Sequence, residues 1–399
     1  MTDAADLLDL ADPATVADPY PHFAELRAIA PVAWHSAAGM YLATSHQACS
    51  AVLRDRRLGR LFTPREPAAE WETFNWLHAD SILDSEPPKH TRLRRLVSGA
   101  FARGHVARLA PRIRELAAQL LDEAAADGPF DVLAGYAEPL PVLVIAELLG
   151  WPEADRHLLR PWSQAIVKMY EVDRTPQQEL AARTAAGEFA AYVEELAAHR
   201  SAHSSPKQGA DLLTDLAHAR DGGDRLSTRE LVATAVLLLN AGHEASVNGF
   251  GNGLHSLLES GTALPDLDDE VALATLVEEF LRHDSPLHLF ERTATAPVRI
   301  GDVTIEPGQK VAALLGAANR DPAVFERPDT FDPKRDPNPH LAFGLGIHFC
   351  IGAPLARLEL QVSVRTLLSR FPTLQLVEAV RRPTFVLRGY ERLVVSPRA

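Results

Sequence analysis

The stretch AFGLGIHFCIGAPLARLEL, residues 342 to 360, decides how this chain is read. Gly344 and Gly346 precede Cys350 and Gly352 follows it, so the backbone around the sulfur can take shapes and close approaches that other residues forbid. Pro354 suits the first turn of a helix. Two apolar rows follow, Leu355/Leu358/Val362 and Leu360/Val364/Leu367/Phe371, and this spacing predicts a broadly buried helix over 354–370. Cys350 then lies just before a helix N-terminus, where the dipole and the unfilled amides stabilise a thiolate. A single glycine-cradled thiolate suits ligation of an iron held by a haem. The plainer alternative is a packed structural cysteine beside a tight turn.

The loop's approach is unusual. Between Ala318 and Phe343 stand Pro322, Pro328, Pro333, Pro337 and Pro339 among many charges. Each proline removes an amide donor and restricts its predecessor, so long regular helix is excluded there. A long irregular loop inside a compact domain is often functional. Elsewhere helical periodicity dominates: 111–125, 189–198, 229–258 and 270–283 all carry apolar residues at helical spacing. Ser227-Thr-Arg-Glu230 is a capping box opening the long helix. Strand signals are fewer. Val32-Ala-Trp34 and Met40-Tyr-Leu42 flank Ala38-Gly39 as a hairpin, and Val298-Arg-Ile300, Val303-Thr-Ile305 and Val311 suggest a small meander. Polar segments at Ser201 to Gly209 and Asp221-Gly-Gly-Asp224 are expected connections within one domain spanning 1–399. The fold class expected is mainly α with a small β region.

Composition narrows the function. The chain has 399 residues, 46% hydrophobic and 23% charged, with ample material for a core, and a formal net charge of −13 that argues against nucleic-acid binding. Two cysteines, Cys49 and Cys350, are too few for a disulfide framework or a four-cysteine zinc site. Cys49, in HQACSAVL, reads as a packed helix residue. The N-terminus lacks the basic start and apolar core of a signal peptide, and the longest apolar stretches fall short of the ~20 residues a membrane span needs. A soluble cytoplasmic protein is expected.

The string Phe343-Gly-x-Gly-x-His348-x-Cys350-x-Gly352-x-x-Leu355-Ala356-Arg357 resembles the haem-binding signature of the cytochrome P-450 family. Further stretches are similar to the family's motifs in the same order. Glu279-Phe-Leu-Arg282 resembles its Glu-x-x-Arg, and Phe331-Asp-Pro-Lys-Arg335 supplies the arginine that joins that pair in a structural triad. SEPPKHTRLRRLVSGAF, residues 85 to 101, resembles a haem-contacting helix, with His90 and Arg94 sharing a face. Arg292 and His348 match two further propionate-binding positions. Arg92 and Arg95 are either a solvated basic face or part of a patch for an acidic redox partner. Ala241-Gly242-His243-Glu244-Ala245-Ser246 resembles the oxygen-binding groove, where Gly242 would let the backbone open and Glu244 matches the family's acid.

Here the chain departs from the pattern, because the threonine usual after the acid is Ala245 and the hydroxyl stands one place on, at Ser246. A substrate hydroxyl or bound water could replace it. Ser246 could partly substitute, although one residue along a helix turns a side chain by about 100°. The chemistry could also differ from hydroxylation.

The resemblance, which runs from Asp18-Pro-Tyr-Pro to Arg388-Gly389, implies a single-domain triangular cytochrome P-450 fold. It implies haem b with Cys350 as axial thiolate and with Phe343, Gly344, Gly352 and Ala241 against the cofactor. The implied reaction is haem-thiolate monooxygenation of an apolar or amphipathic small molecule, using O2 and two electrons. Those electrons would come from NAD(P)H through a separate ferredoxin and ferredoxin reductase, to a monomer active in secondary metabolism. Coupling, desaturation or dealkylation are the enzymatic alternatives, and a haem-thiolate ligand sensor is the alternative of another class. By the same resemblance, substrate would meet Trp76, Leu77, Ile166, Met169, Tyr170, Leu238, Asn240, Leu287, Leu289, Phe290 and Tyr390, with Trp71, Phe74 and Trp162 as further candidates and Asn240 and His288 as polar anchors. Ordinary core packing is the alternative for each.

Overall fold

The computed structural model describes residues 3–101, 103–126, 128–171, 174–203, 211–218 and 225–397. The expected turn at Asp221 to Asp224, and most of the polar insert ending at Gly209, lie outside them. Helices in chain order are α1 (Pro13–Ala17), α2 (Tyr20–Ile29), α3 (His46–Arg54), α4 (Glu72–Ala79), α5 (Lys89–Ser98), α6 (Arg103–Ala124), α7 (Pro139–Leu148), α8 (Leu159–Val167), α9 (Pro176–His203), α10 (Leu212–His218), α11 (Thr228–Ser260), α12 (Glu270–His283), α13 (Leu315–Ala318) and α14 (Ala353–Arg370). Strands are β1 (Val32–His35), β2 (Met40–Ala43), β3 (Leu58–Gly59), β4 (Phe130–Asp131), β5 (Leu289–Ala294), β6 (Val298–Ile300), β7 (Val303–Ile305), β8 (Lys310–Leu314), β9 (Gln375–Arg381) and β10 (Tyr390–Ser396).

The chain forms two compact units. One comprises Met1–Gly59, Arg114–Ala137 and Ala245–Ala399; the other comprises Arg60–Ile113 and Glu138–Glu244. All the strands among the described residues fall in the first unit. Its main sheet has the order β1-β2-β8-β5-β3. The predicted hairpin is its edge, with Trp34 opposite Tyr41 and the turn made at Gly39, φ +63°. Central β8 is buried from Val311 to Leu314, as a strand covered on both faces must be. Side chains alternate across it. Val311 and Ala313 pack with Cys49 and Val52 of α3, while Ala312 and Leu314 pack with Phe23 and Leu26 of α2. Cys49 is thus a core residue, its thiol donating to the Ala43 carbonyl at 3.1 Å.

Two expectations are corrected, and one sheet was missed. Val311 does not continue the 298–305 hairpin: β6 and β7 pair with each other alone, and Val311 joins β2 and β5 in the main sheet. α6 starts at Arg103, ahead of the 111–125 stretch read as helical, and holds Pro111 inside it. A third sheet, β4-β10-β9, was not predicted at all.

The second unit is helical throughout its described residues apart from loops. α8 and α9 share an aromatic seam in which Trp162 stacks on Phe189 at 5.2 Å, and Trp151, before α8, stacks on Tyr192 at 4.9 Å. The capping box of α11 is reciprocal: the Ser227 amide donates to Glu230 Oε2 (2.9 Å) and the Glu230 amide donates to Ser227 Oγ (3.2 Å). Such caps contribute about 1 kcal/mol. Glu230 also holds Arg92 of α5 in an ion pair, so Arg92 is a clamp between two helices rather than part of a solvated face. No helix among the described residues is long and apolar enough to cross a membrane.

Candidate active site

The thiolate loop belongs to the first unit. Between α13 and Gly346 the chain forms no helix or strand, so its backbone polar groups need other partners. Two guanidiniums supply many of them. Arg282 donates to the carbonyls of Asn319 (2.9 Å), Pro328 (2.7 Å) and Thr330 (3.2 Å). Arg335 donates to those of Glu326 (2.8 Å) and Thr330 (3.0 Å). One carboxylate bonds both cations. Glu279 accepts two 2.7 Å bonds from Arg282 and bonds of 3.2 and 3.3 Å from Arg335 Nε. Glu279 and Arg282 are fully buried. The Asp332 amide and Asn338 Nδ2 complete the carboxylate's shell.

Downstream of the brace the chain turns twice through left-handed glycines, Gly344 at φ +67° and Gly346 at φ +72°. A Cβ on Gly346 would sit 2.4 Å from the Leu53 carbonyl oxygen, so the loop is pressed onto the end of α3. After these turns the Cys350 amide donates to the Phe343 carbonyl, at 2.9 Å. Cys350 is half-buried and forms no disulfide. α14 begins three residues later with Gly352 as an N-cap that offers no side-chain bond. A Cβ there would come 3.9 Å from the sulfur. His348 lies half-buried in the turn just before. Arg292 projects from β5, 1% exposed, with its guanidinium 4.3 Å over the Phe290 ring. One sulfur at a helix N-terminus and a buried guanidinium are donors of the kind a haem requires, an axial thiolate and a propionate partner.

In the second unit α5 places His90, 2% exposed, one turn before half-buried Arg94. α11 carries the groove residues. From Leu231 to Asn240 it is buried except at half-buried Leu237, yet Ala241 is exposed and Gly242, Ala245 and Ser246 are half-buried. Positions i, i+1, i+4 and i+5 fall on one side of the helix, so that side is less covered than the turns before it, with Gly242 packed towards α7. His243 and Glu244 between them are buried at 1% and 6%. A Cβ on Gly242 would come 3.3 Å from the Ile145 side chain, which gives this glycine a packing reason in α7.

The candidate substrate residues separate by environment. In the second unit Trp76 lies under the Arg229 cation at 5.3 Å. Leu77, Ile166, Met169, Leu238 and Asn240 are buried, and the Tyr170 hydroxyl is 3.4 Å from His78 Nε2. Asn240 Oδ1 has no hydrogen-bond partner. Phe74 stacks on His78 at 4.1 Å, Trp71 is capped by Arg65 and Arg183, and Trp162 donates to Glu188. In the first unit Leu287, Leu289 and Phe290 are half-buried. Two others are engaged in the interior. Tyr390 is 3% exposed, stacked on His255 at 4.7 Å and facing the Arg381 cation at 3.8 Å. His288 is enclosed by Tyr20, Phe23 and Phe385. Burial, reinforced by the Arg388 cation, pushes its imidazole far below its ordinary range, which suits a structural histidine better than a polar anchor. Glu278, His340 and Asn319 also organise the loop and were not singled out in the sequence. The available signal was the doubled Glu278-Glu279, of which the motif uses one.

A thiolate loop braced by a buried carboxylate–diguanidinium cluster, in a mainly helical fold with a small sheet region, defines a haem-thiolate protein. Residues 266–388 match the model of the family described as cytochrome P450. The chain is 36% identical over 386 residues to the biotin biosynthesis cytochrome P450 of Bacillus subtilis, covering 95% of this chain and 96% of that one. It is 39% identical over 395 residues to 6-deoxyerythronolide B hydroxylase of Saccharopolyspora erythraea, covering 95% and 96%. Among solved structures it is similar to P450BioI in complex with an acyl carrier protein bearing hexadec-9Z-enoic acid. There the TM-score is 0.89 at 34% identity, over 97% of this chain and 99% of that one. The chain belongs to the cytochrome P450 family, and is an oxidoreductase of that family with a haem-iron cofactor.

Proposed function

We propose that this enzyme is a monooxygenase that hydroxylates an apolar or amphipathic small molecule, with Cys350 as axial ligand and a proton supply that does without the usual threonine. The observation that carries the reading is the Cys350 loop, whose glycines, amide bond to Phe343 and Glu279 brace fix a single sulfur before α14. Bound there, the haem would supply reductive activation of O2. By their motif positions, His90, Arg94, Arg292 and His348 are each candidates for holding a propionate. Electrons would come from NAD(P)H through a separate ferredoxin and its reductase.

The open face of α11 supports the atypical relay. At the position of the threonine a methyl group, Ala245, leaves no hydroxyl to hold a proton, and Glu244 is buried beside it. A substrate hydroxyl, with bound water, would then orient the proton. Ser246, half-buried and turned by about 100° from Ala245, is the nearest alternative hydroxyl in sequence. The relatives named as a hydroxylase and as a biotin biosynthesis enzyme are in keeping with small-molecule oxidation.

The test begins with the ferrous–CO spectrum, which must carry the thiolate-type Soret band; a histidine-type band in intact protein would remove Cys350 from its role. A ligand screen following the Soret shift, then product analysis with a surrogate ferredoxin and reductase, identifies substrates. Binding without NADPH-dependent product would favour a sensor. Ala245→Thr is expected to raise coupling of electrons to product for substrates lacking a hydroxyl; unchanged coupling with them would defeat the substrate-assisted relay.

A further inference from the structure

A second brace also holds the thiolate loop. Glu278 precedes Glu279 on α12 but faces different partners. Its Oε1 accepts from Arg357 Nε at 2.6 Å, and its Oε2 accepts from Arg357 Nη2 at 2.8 Å. The same Oε2 lies 2.9 Å from His340 Nε2. Arg357 is in the second turn of α14, seven residues after Cys350, and its guanidinium lies 4.4 Å over the Phe343 ring. The His340 ring is 6.0 Å from that of Phe343. Phe343 in turn receives the Cys350 amide on its carbonyl. From α12 to the sulfur the path is therefore carboxylate, guanidinium, aromatic ring, peptide, cysteine.

The charge on this path can be counted. The Ala342 amide donates to His340 Nδ1 at 3.2 Å, and the other ring nitrogen, Nε2, faces Glu278. Burial by itself would raise the Glu278 carboxyl, but the bonds from Arg357 and His340 outweigh it and bring it down to about 2. Glu278 is ionised, and it meets the Arg357 guanidinium as one negative charge to one positive. The His340 side chain is 2% exposed, Glu278 24% and Arg357 34%, so solvent screens the pair incompletely.

We infer that Glu278 is a positioning and charge-balancing residue for the Cys350 thiolate, neutralising the Arg357 cation that stacks on Phe343 and thereby setting the reduction potential of the iron bound to Cys350. The inference rests on the haem-thiolate reading above. It acts through an electrostatic argument with a sign: an uncompensated cation near the centre favours the state with one more electron, and an uncompensated anion disfavours it.

The experiment is a spectroelectrochemical titration of the holoenzyme as wild type, Glu278→Gln, Arg357→Gln and the double variant, with the ferrous–CO spectrum of each recorded alongside. Glu278→Gln is expected to shift the potential upward and Arg357→Gln downward, with the double variant returning close to wild type. Glu278→Asp should keep the wild-type value. If Glu278→Gln does not retain haem, Arg357→Lys against Arg357→Gln asks the same question, with Lys keeping the wild-type potential and Gln lowering it. Shifts of the same sign in both single variants, or none in proteins with intact thiolate spectra, would overturn the inference, since a merely mechanical brace has no reason to respect the sign of the charge removed. A wild-type protein without the thiolate band would instead defeat the parent reading.

Discussion

Gly346 and Glu359 show how much a single residue can settle. Gly346 needs both its left-handed φ of +72° and its missing Cβ, since the Leu53 carbonyl lies where a methyl would go. Gly346→Ala is expected to destabilise the protein by about 1–3 kcal/mol and to speed haem loss; both can be read from urea melts and from haem transfer to an apo-acceptor. Glu359, nine residues after Cys350 on α14, is 4% exposed and its Oε1 has no hydrogen-bond partner. Burial pushes its carboxyl up to about 8 from an ordinary 4.5. The folded protein therefore keeps a proton that the unfolded chain releases above about 4.5. The stability this group permits is whole below that pH, declines as pH rises towards about 8, and is level above it. Glu359→Gln is expected to melt with the wild type at pH 5 and above it at pH 9; a gap that is the same at both pH values would refute this.

Among elements, the loop from 319 to 345 depends on side chains for what helices and strands supply to themselves. Arg335→Ala would leave the buried Glu279–Arg282 pair in place but several loop carbonyls short of donors. A loss of about 1–3 kcal/mol is expected in denaturant unfolding. Arg335→Lys should rescue little, because an ammonium lacks the planar fork that reaches Glu279, Glu326 and Thr330 together. These elements also differ in legibility. α12 begins and ends at the residues its periodicity predicts, because Asp269 caps it and one apolar face is buried. The capping box of α11 was legible for the same local reason. β9 was not, since Gln375 to Arg381 is mostly exposed or half-buried and carries no inward apolar alternation. Val311 was assigned to the wrong partner because pairing with β2 is a contact across more than 250 residues that no local pattern encodes. In the site, the motif residues were readable as a string. The interior engagement of His288 and Tyr390 was not, because it comes from Tyr20, Phe23, His255 and Arg381, brought in from distant segments.

For the whole molecule, the two compact units are not successive lengths of chain. The boundary falls inside α6, between Ile113 and Arg114, and inside α11, between Glu244 and Ala245. A helix cannot melt on one side of such a point without losing hydrogen bonds on the other, so we propose that the chain unfolds as one domain. Far-ultraviolet dichroism, tryptophan fluorescence and Soret absorbance should lose signal at one shared midpoint; separated midpoints would show two domains.

α11 has a further consequence, for the changes of length this gene can tolerate. Its start is pinned by Ser227, Glu230 and Arg92, and its open face recurs at 241, 242, 245 and 246. The residues between are a count as well as a composition. Deleting one of them would swing the open face by about 100° and draw it back by about 1.5 Å, whichever residue was lost and however well its neighbours packed. Two whole turns, about seven residues, would have to be added or removed before the face returned to within about 20° of its direction. Between the cap and the open face, substitutions are open to selection one at a time, while insertions and deletions are closed to it.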